Sequence, residues 1–201
     1  MNLFEVTVSN SVNDQTQHVA GKFGTNTGAS FVAAACAAGT LCVPNGLLPN
    51  EGYESFGIKN GNSYYFNAAT NGNSGLLGDH TGIYAFNNYD VAKAVNGDAQ
   101  YNIGAQTLGL ALPAGNYGDF CEIRIGEQYS FGDGQFSTAP SAGVSTGYAT
   151  IAAGKLVYSA TAPAAGSGVY FQILRTKPVN EGTKFAGTAY VLKACRAALA
   201  A

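Results

Sequence analysis

The sequence predicts a mainly β protein, a β-sandwich or β-barrel with one short Ala-rich helix and long Gly/Asn loops. Three observations point there. Several short runs alternate apolar and polar residues with period two, the mark of a strand with two unlike faces. Gly, Pro and Asn clusters separate those runs at short intervals, as turns do in all-β folds. The 201 residues hold 27 Gly and 12 Tyr but only 11% Asp, Glu, Lys and Arg, against about 25% in an average soluble domain.

In chain order, Leu3 to Val8 places Phe4, Val6 and Val8 on one side and Leu3, Glu5 and Thr7 on the other. That pattern reads as a half-buried strand, and the polar residues that follow from Ser9 to Gln17 make residues 1–17 a candidate arm. Residues 18–116 read as an irregular, strand-rich region. Within it, Gly21 to Gly28 reads as a loop. The run Ala29 to Ala38, closed by Gly39, is the best helix candidate because Ala has the highest helix propensity and Gly stops a helix; a close-packed strand of small residues is the other reading. Ser63 to Asn67 and Gly82 to Phe86 read as strands around a Thr70 to Gly78 loop. Asn60-Gly61 and Asn96-Gly97 read as turns that tolerate positive φ, and Asp90 to Val95 as a helical turn or two.

A soft boundary at Leu112 to Asn116 introduces a C-terminal β-barrel over 117–201, unless the whole chain is one continuous domain. Cys121, Ile123 and Ile125 alternate with Glu122 and Arg124, which predicts a strand with one wet face. Asp133-Gly134 between Phe131 and Phe136 predicts a hairpin. Tyr148 to Ala152 and Leu156 to Tyr158 flank an Ala153-Gly154-Lys155 turn. Val169 to Arg175 and Thr188 to Lys193 are the clearest strands, joined by the turn-rich Pro178 to Gly182.

Composition excludes several classes of function. A formal net charge of −2, with ten scattered basic residues of which only Arg175 and Lys177 approach a cluster, argues against nucleic-acid binding, which needs clustered Lys and Arg. The long charge-free stretch Phe23 to Asn50 is broken by Gly, Asn, Thr and Pro44, so no membrane span is expected. Met1 to Val8 lacks the basic and apolar regions of a secretory signal, and no Asn begins an N-x-Ser/Thr acceptor. Synthesis in a cytoplasm of bacterial or viral ownership is expected, with Cys36, Cys42, Cys121 and Cys195 as free thiols.

Candidate chemistry is thin. Asp133 between glycines lacks the repeated acids of a calcium loop, and Gly24 to Gly28 lacks the Lys of a phosphate loop. His18 and His80 have no nucleophile elbow in their sequence neighbourhoods, and Asp79-His80 reads as a loop pair. Cys36 and Cys42 miss the spacing of a zinc site and read as small buried hydrophobes. Glu51 with Glu54, or Glu122 with Glu127, would be the carboxylate pairs of a glycosidase, a pattern any β protein supplies. Tyr64, Tyr65, Phe66, Tyr84, Phe86 and Tyr89 offer rings on which a sugar would stack. No catalytic residue, cofactor or metal site is expected, and an enzyme is not.

Tyr148 to Leu156, Gly168 to Arg175 and Glu181 to Thr183 resemble, in strand order and Gly turns, the small β-barrel proteins that decorate the heads of tailed bacteriophages. The resemblance spans residues 117–195. It implies a cement role on the capsid surface, with the major capsid protein as partner, self-association that is often trimeric, and no nucleic acid or membrane partner. The first half departs from the smallest members, which leaves an extra domain or a head fibre open. Low charge suits such a role, since buried unpaired charge is costly and charges are depleted at interface centres. Leu3, Phe4, Val6 and Val8 are then the expected partner-contact arm, pairing with a neighbour by strand addition. The rival expectation is a carbohydrate-binding module of a fibre or adhesin.

Overall fold

A computed structural model describes residues 2, 4–8, 18–48, 63–70, 79–87, 111–181 and 185–198. The fold is mainly β, as the alternation predicts. The strands are β1 (Phe4–Val8), β2 (His18–Asn26), β3 (Phe31–Ala33), β4 (Cys36–Ala37), β5 (Leu41–Leu47), β6 (Tyr64–Ala68), β7 (His80–Asn87) and β8 (Ala111–Leu112). They continue as β9 (Gly118–Arg124), β10 (Gln128–Gly132), β11 (Phe136–Thr138), β12 (Gly147–Ala152), β13 (Lys155–Ser159), β14 (Val169–Glu181) and β15 (Phe185–Arg196).

Five strands close into a small barrel in the order β2-β6-β5-β7-β9, with β9 returning to pair with β2; β3 extends β2 at the margin. Closure removes the sheet edges that would otherwise stay unpaired. The lumen is too narrow for anything but side chains, and Cys36, Cys42, Phe66, Phe86, Leu112 and Phe120 fill it. Phe66 stacks on Phe120 with ring centroids 4.1 Å apart. The parallel pairing of β2 with β6 sets Gly21 opposite Tyr64, and a Cβ at Gly21 would strike the Tyr64 carbonyl and the Phe66 ring. Glycine is required there by close approach.

The other strands form an open seven-stranded sheet, β1-β10-β15-β14-β12-β13-β11. A second core lies between this sheet and the outer face of the barrel. It joins Leu41, Ile83, Cys121 and Ile123 from the barrel to Phe4, Tyr129, Phe131, Phe171 and Leu192 from the sheet. The β12–β13 hairpin turns through Ala153 and Gly154, both at positive φ (48° and 78°). Its tip docks on the barrel, where the Gly154 N–H donates to the Ala69 carbonyl at 2.8 Å and the Leu41 N–H donates to the Gly154 carbonyl at 2.8 Å.

Several expectations are corrected. Ala29 to Ala38 is no helix: it holds β3 and β4, because Phe31 packs against Tyr65 (4.4 Å between centroids) and Cys36 is drawn into the barrel interior opposite Leu112. Ten residues give a marginal helix in isolation, and propensity yields to such packing. Gly21 to Gly28 is not a loop but runs as strand β2 as far as Asn26. Asp133-Gly134 makes no hairpin. Residues Asp133–Gln135 form one 3-10 turn, after which β11 leaves to pair in parallel with β13 while β10 stays between β1 and β15. The Gln135 amide, donating to the Ala38 carbonyl, and Phe136, edge-on to Tyr190 at 5.0 Å, fix that divergence.

The closed barrel is built from the first part of the chain together with β9, and the strands from Gln128 onward, expected as part of a C-terminal β-barrel over 117–201, form the seven-stranded sheet with β1. The chain passes from one sheet to the other at Ile125 to Glu127. The β14–β15 hairpin runs through Pro178 to Glu181 as strand, where a turn was expected. The Asn60-Gly61 and Asn96-Gly97 turns, the Asp90 to Val95 helical turn, and Glu51, Glu54 and Tyr89 lie outside the described residues, as does nearly all of the Thr70 to Gly78 loop.

Candidate functional site

The expected contact arm lies in β1, paired antiparallel with β10 of its own chain at the margin of the seven-stranded sheet. Phe4 is buried, stacked on Tyr129 at 5.9 Å and tilted against Phe131 at 5.2 Å. Its ring therefore belongs to the protein's own core. Val6 sits opposite Tyr129 and Val8 opposite Gln128, while Leu3 lies outside the described residues.

The rings considered for sugar stacking are used in packing. Phe66 and Phe86 are fully buried, Tyr64 and Tyr84 pack against the barrel core, and Tyr65 covers Phe31. Burial and the nearby Glu122 push the Tyr84 phenol up to about 12.

Polar chemistry gathers instead on the two flanks of β9. At one end, Glu122 and Arg124 point along the barrel, not into water: Glu122 is 4% exposed. The expected wet face of β9 is covered because these charges are paired. Glu122 lies 3.0 Å from His80 Nδ1 and accepts from the Gly82 N–H at 3.4 Å. The Arg124 guanidinium reaches Glu122 at 3.6 Å and Asp79 at 3.5 Å. Arg196 of β15 donates to the His80 carbonyl at 2.7 Å, tying the sheet to the barrel. Glu122 and Glu127, the expected carboxylate pair, are each engaged by other side chains, Glu122 by His80 and Glu127 by Tyr129. Glu127 accepts the Tyr129 hydroxyl at 2.7 Å, and that hydroxyl in turn accepts the Arg124 N–H at 2.8 Å. This mesh closes the β9–β10 turn.

On the opposite flank, His18 Nδ1 lies 2.8 Å from Asp119 Oδ2. The same oxygen accepts from Asn87 Nδ2 at 3.0 Å, and the strand register sets His18 opposite Cys121. His80 Nε2 lies 3.9 Å from its sequence neighbour Asp79, while its Nδ1 is held by Glu122 from the adjacent strand. No local pattern could have revealed the His18 cluster, since its members are 101 residues apart along the chain; only the β2–β9 register, which sets His18 opposite Cys121, brings them together. The described cysteines are all free, and no group of three metal-ligating side chains occurs among the described residues.

Fold and polar clusters together define a mainly β protein, a closed small barrel packed on an open sheet. No protein-family model matches the chain, and no curated protein or solved structure matches it.

Proposed function

We propose that this chain is a virion structural protein that binds the outside of a tailed-phage capsid lattice and braces it, in contact with the major capsid protein and with copies of itself. The observation that carries this reading is the charge-poor, aromatic-rich composition. Charges are depleted and aromatics enriched at the centre of protein interfaces, and a lattice multiplies many moderate contacts into firm attachment. The open sheet adds to it: β1 is an edge strand, the kind of edge to which a partner strand adds through backbone hydrogen bonds. Val32 and Leu47 are exposed apolar side chains on the barrel. The resemblance of residues 117–195 to capsid decoration proteins points the same way.

The test is co-sedimentation with expanded heads of the phage that encodes the protein, prepared without it, alongside its mass in solution. Saturable pelleting is expected. No pelleting by a folded sample overturns the proposal and moves the weight to a glycan-binding module, which a glycan array would then probe. Deleting residues 1–8 is a poor probe of attachment, because it takes Phe4 out of the core.

A further inference from the structure

We infer that the outer face of the open sheet, around β14 and β12, is a binding site for an acidic polysaccharide. Strand alternation separates this face from the core. Val169, Phe171 and Ile173 of β14, Ala149 and Ile151 of β12, and Leu192 and Ala194 of β15 belong to the shared core, so the residues between them look the other way. Register lines up Tyr148, Gln172 and Lys193 in one row across β12, β14 and β15. Tyr170 stands two residues away on β14, and its ring meets that of Tyr148 at 6.0 Å and 61°. Strict alternation would send Arg175 into the core with Ile173. The bulge between the two instead pairs Arg175 with Val191, which lies between the inward-facing Tyr190 and Leu192, and so turns Arg175 outward.

The face is open where these groups lie. Gln172 and Arg175 are exposed and Tyr148, Tyr170 and Lys193 half-buried, whereas Ser130, Ala189 and Val191 towards β10 are buried. Its charge runs against the −2 of the whole chain. Arg175 and Lys193 are both basic, and the acidic side chains described lie elsewhere: Asp79 and Glu122 beside Arg124, Asp119 beside His18, Glu127 on Tyr129 and Asp133 in the 3-10 turn. A ligand that answers all of this carries carboxylates for the two cations, flat C–H faces for the tyrosine rings and hydroxyls for the Gln172 amide. Uronic acid sugars carry the three together, while an acidic peptide supplies the carboxylates alone. Tyr148 and Lys193 stand two strand spacings apart, about 9–10 Å, which calls for a chain of sugars rather than a single one.

The test is affinity electrophoresis of the native protein in gels that hold polygalacturonate, with poly-glutamate and dextran gels beside them. Retardation is expected in polygalacturonate and in neither of the others, and it weakens as salt is raised. Arg175→Gln combined with Lys193→Gln is expected to lose about tenfold in affinity and Tyr148→Ala about fivefold, both at the wild-type Tm. Should Tyr148→Ala lower the Tm, Gln172→Ala, at an exposed position, takes its place. No retardation by polygalacturonate overturns the inference. So does retardation by poly-glutamate, which would make the face a plain patch of charge, or wild-type affinity in every variant, which would put the site elsewhere. The outcome is independent of capsid binding.

Discussion

At the scale of single residues, the positions of consequence are those where a side chain meets a constraint set far away in the chain. His18 is one. Its folded pKa is raised from 6.5 to about 10, first by the hydrogen bond to Asp119, so the ring binds its proton more tightly folded than unfolded. The stability it adds is fully present below the unfolded value and drains away as pH rises through the folded one. Urea midpoints measured from about pH 6 to about pH 10 should therefore show the wild type losing its lead over His18→Gln, and a constant gap would contradict the pairing. Ala153 is another, the single described non-Gly residue at positive φ. It stands first in a two-residue turn whose preferred sequence is Asn-Gly. Ala153→Asn is expected to stabilise the protein by about 0.5–1 kcal/mol, seen as a higher Tm, because Asn tolerates this backbone region better than Ala. Neither site was legible in full. The Ala153 turn was, but not its handedness; His18 looked like an isolated histidine because its partners arrive from distant strands.

At the scale of elements, the barrel depends on strands that approach too closely for side chains. The Gly21 position shows this most directly, since the obstacle to a Cβ includes the Tyr64 backbone carbonyl, which cannot rotate away. Gly21→Ala should cost about 1–3 kcal/mol through overpacking, measurable as a lowered urea midpoint; an unchanged midpoint would mean that β2 and β6 are not paired as described. The same position explains what the sequence did and did not reveal. Alternation located β1, β6, β7, β9, β12 and β14 because each has at least one apolar face to bury. Gly21 to Gly28 was read as a loop because glycine density marks turns and close approaches alike, and only the partner strand separates the two meanings. Ala29 to Ala38 was read as a helix because its small residues carry high helix propensity, while the pull of Tyr65 on Phe31 and of the lumen on Cys36 is nonlocal. The paired charges of Glu122 and Arg124 were read as a wet face for the same reason: burial of a charge depends on a partner that a single segment does not contain.

At the scale of the whole molecule, the question is whether barrel and sheet are one folding unit or two. The shared core argues for one. Cys121 and Ile123 from the barrel, and Phe131, Phe171 and Leu192 from the sheet, belong to a single buried cluster, so neither layer can come away without exposing the other's apolar face. Polar ties cross the same boundary, from Arg196 to the His80 carbonyl and from the Gly154 hairpin tip to Leu41 and Ala69. Buried apolar contact of this kind stabilises by roughly 25 cal/mol per Å², and one core shared by two layers makes their unfolding cooperative. Denaturation followed by tyrosine fluorescence and by far-UV circular dichroism should thus give coincident single transitions. Phe131→Ala, at the centre of the shared core, should lower the midpoint for both signals together, at a cost of about 3–5 kcal/mol. Separate transitions, or a variant that melts the sheet signal while the barrel persists, would divide the chain into two independent domains and place their junction at Ile125 to Glu127.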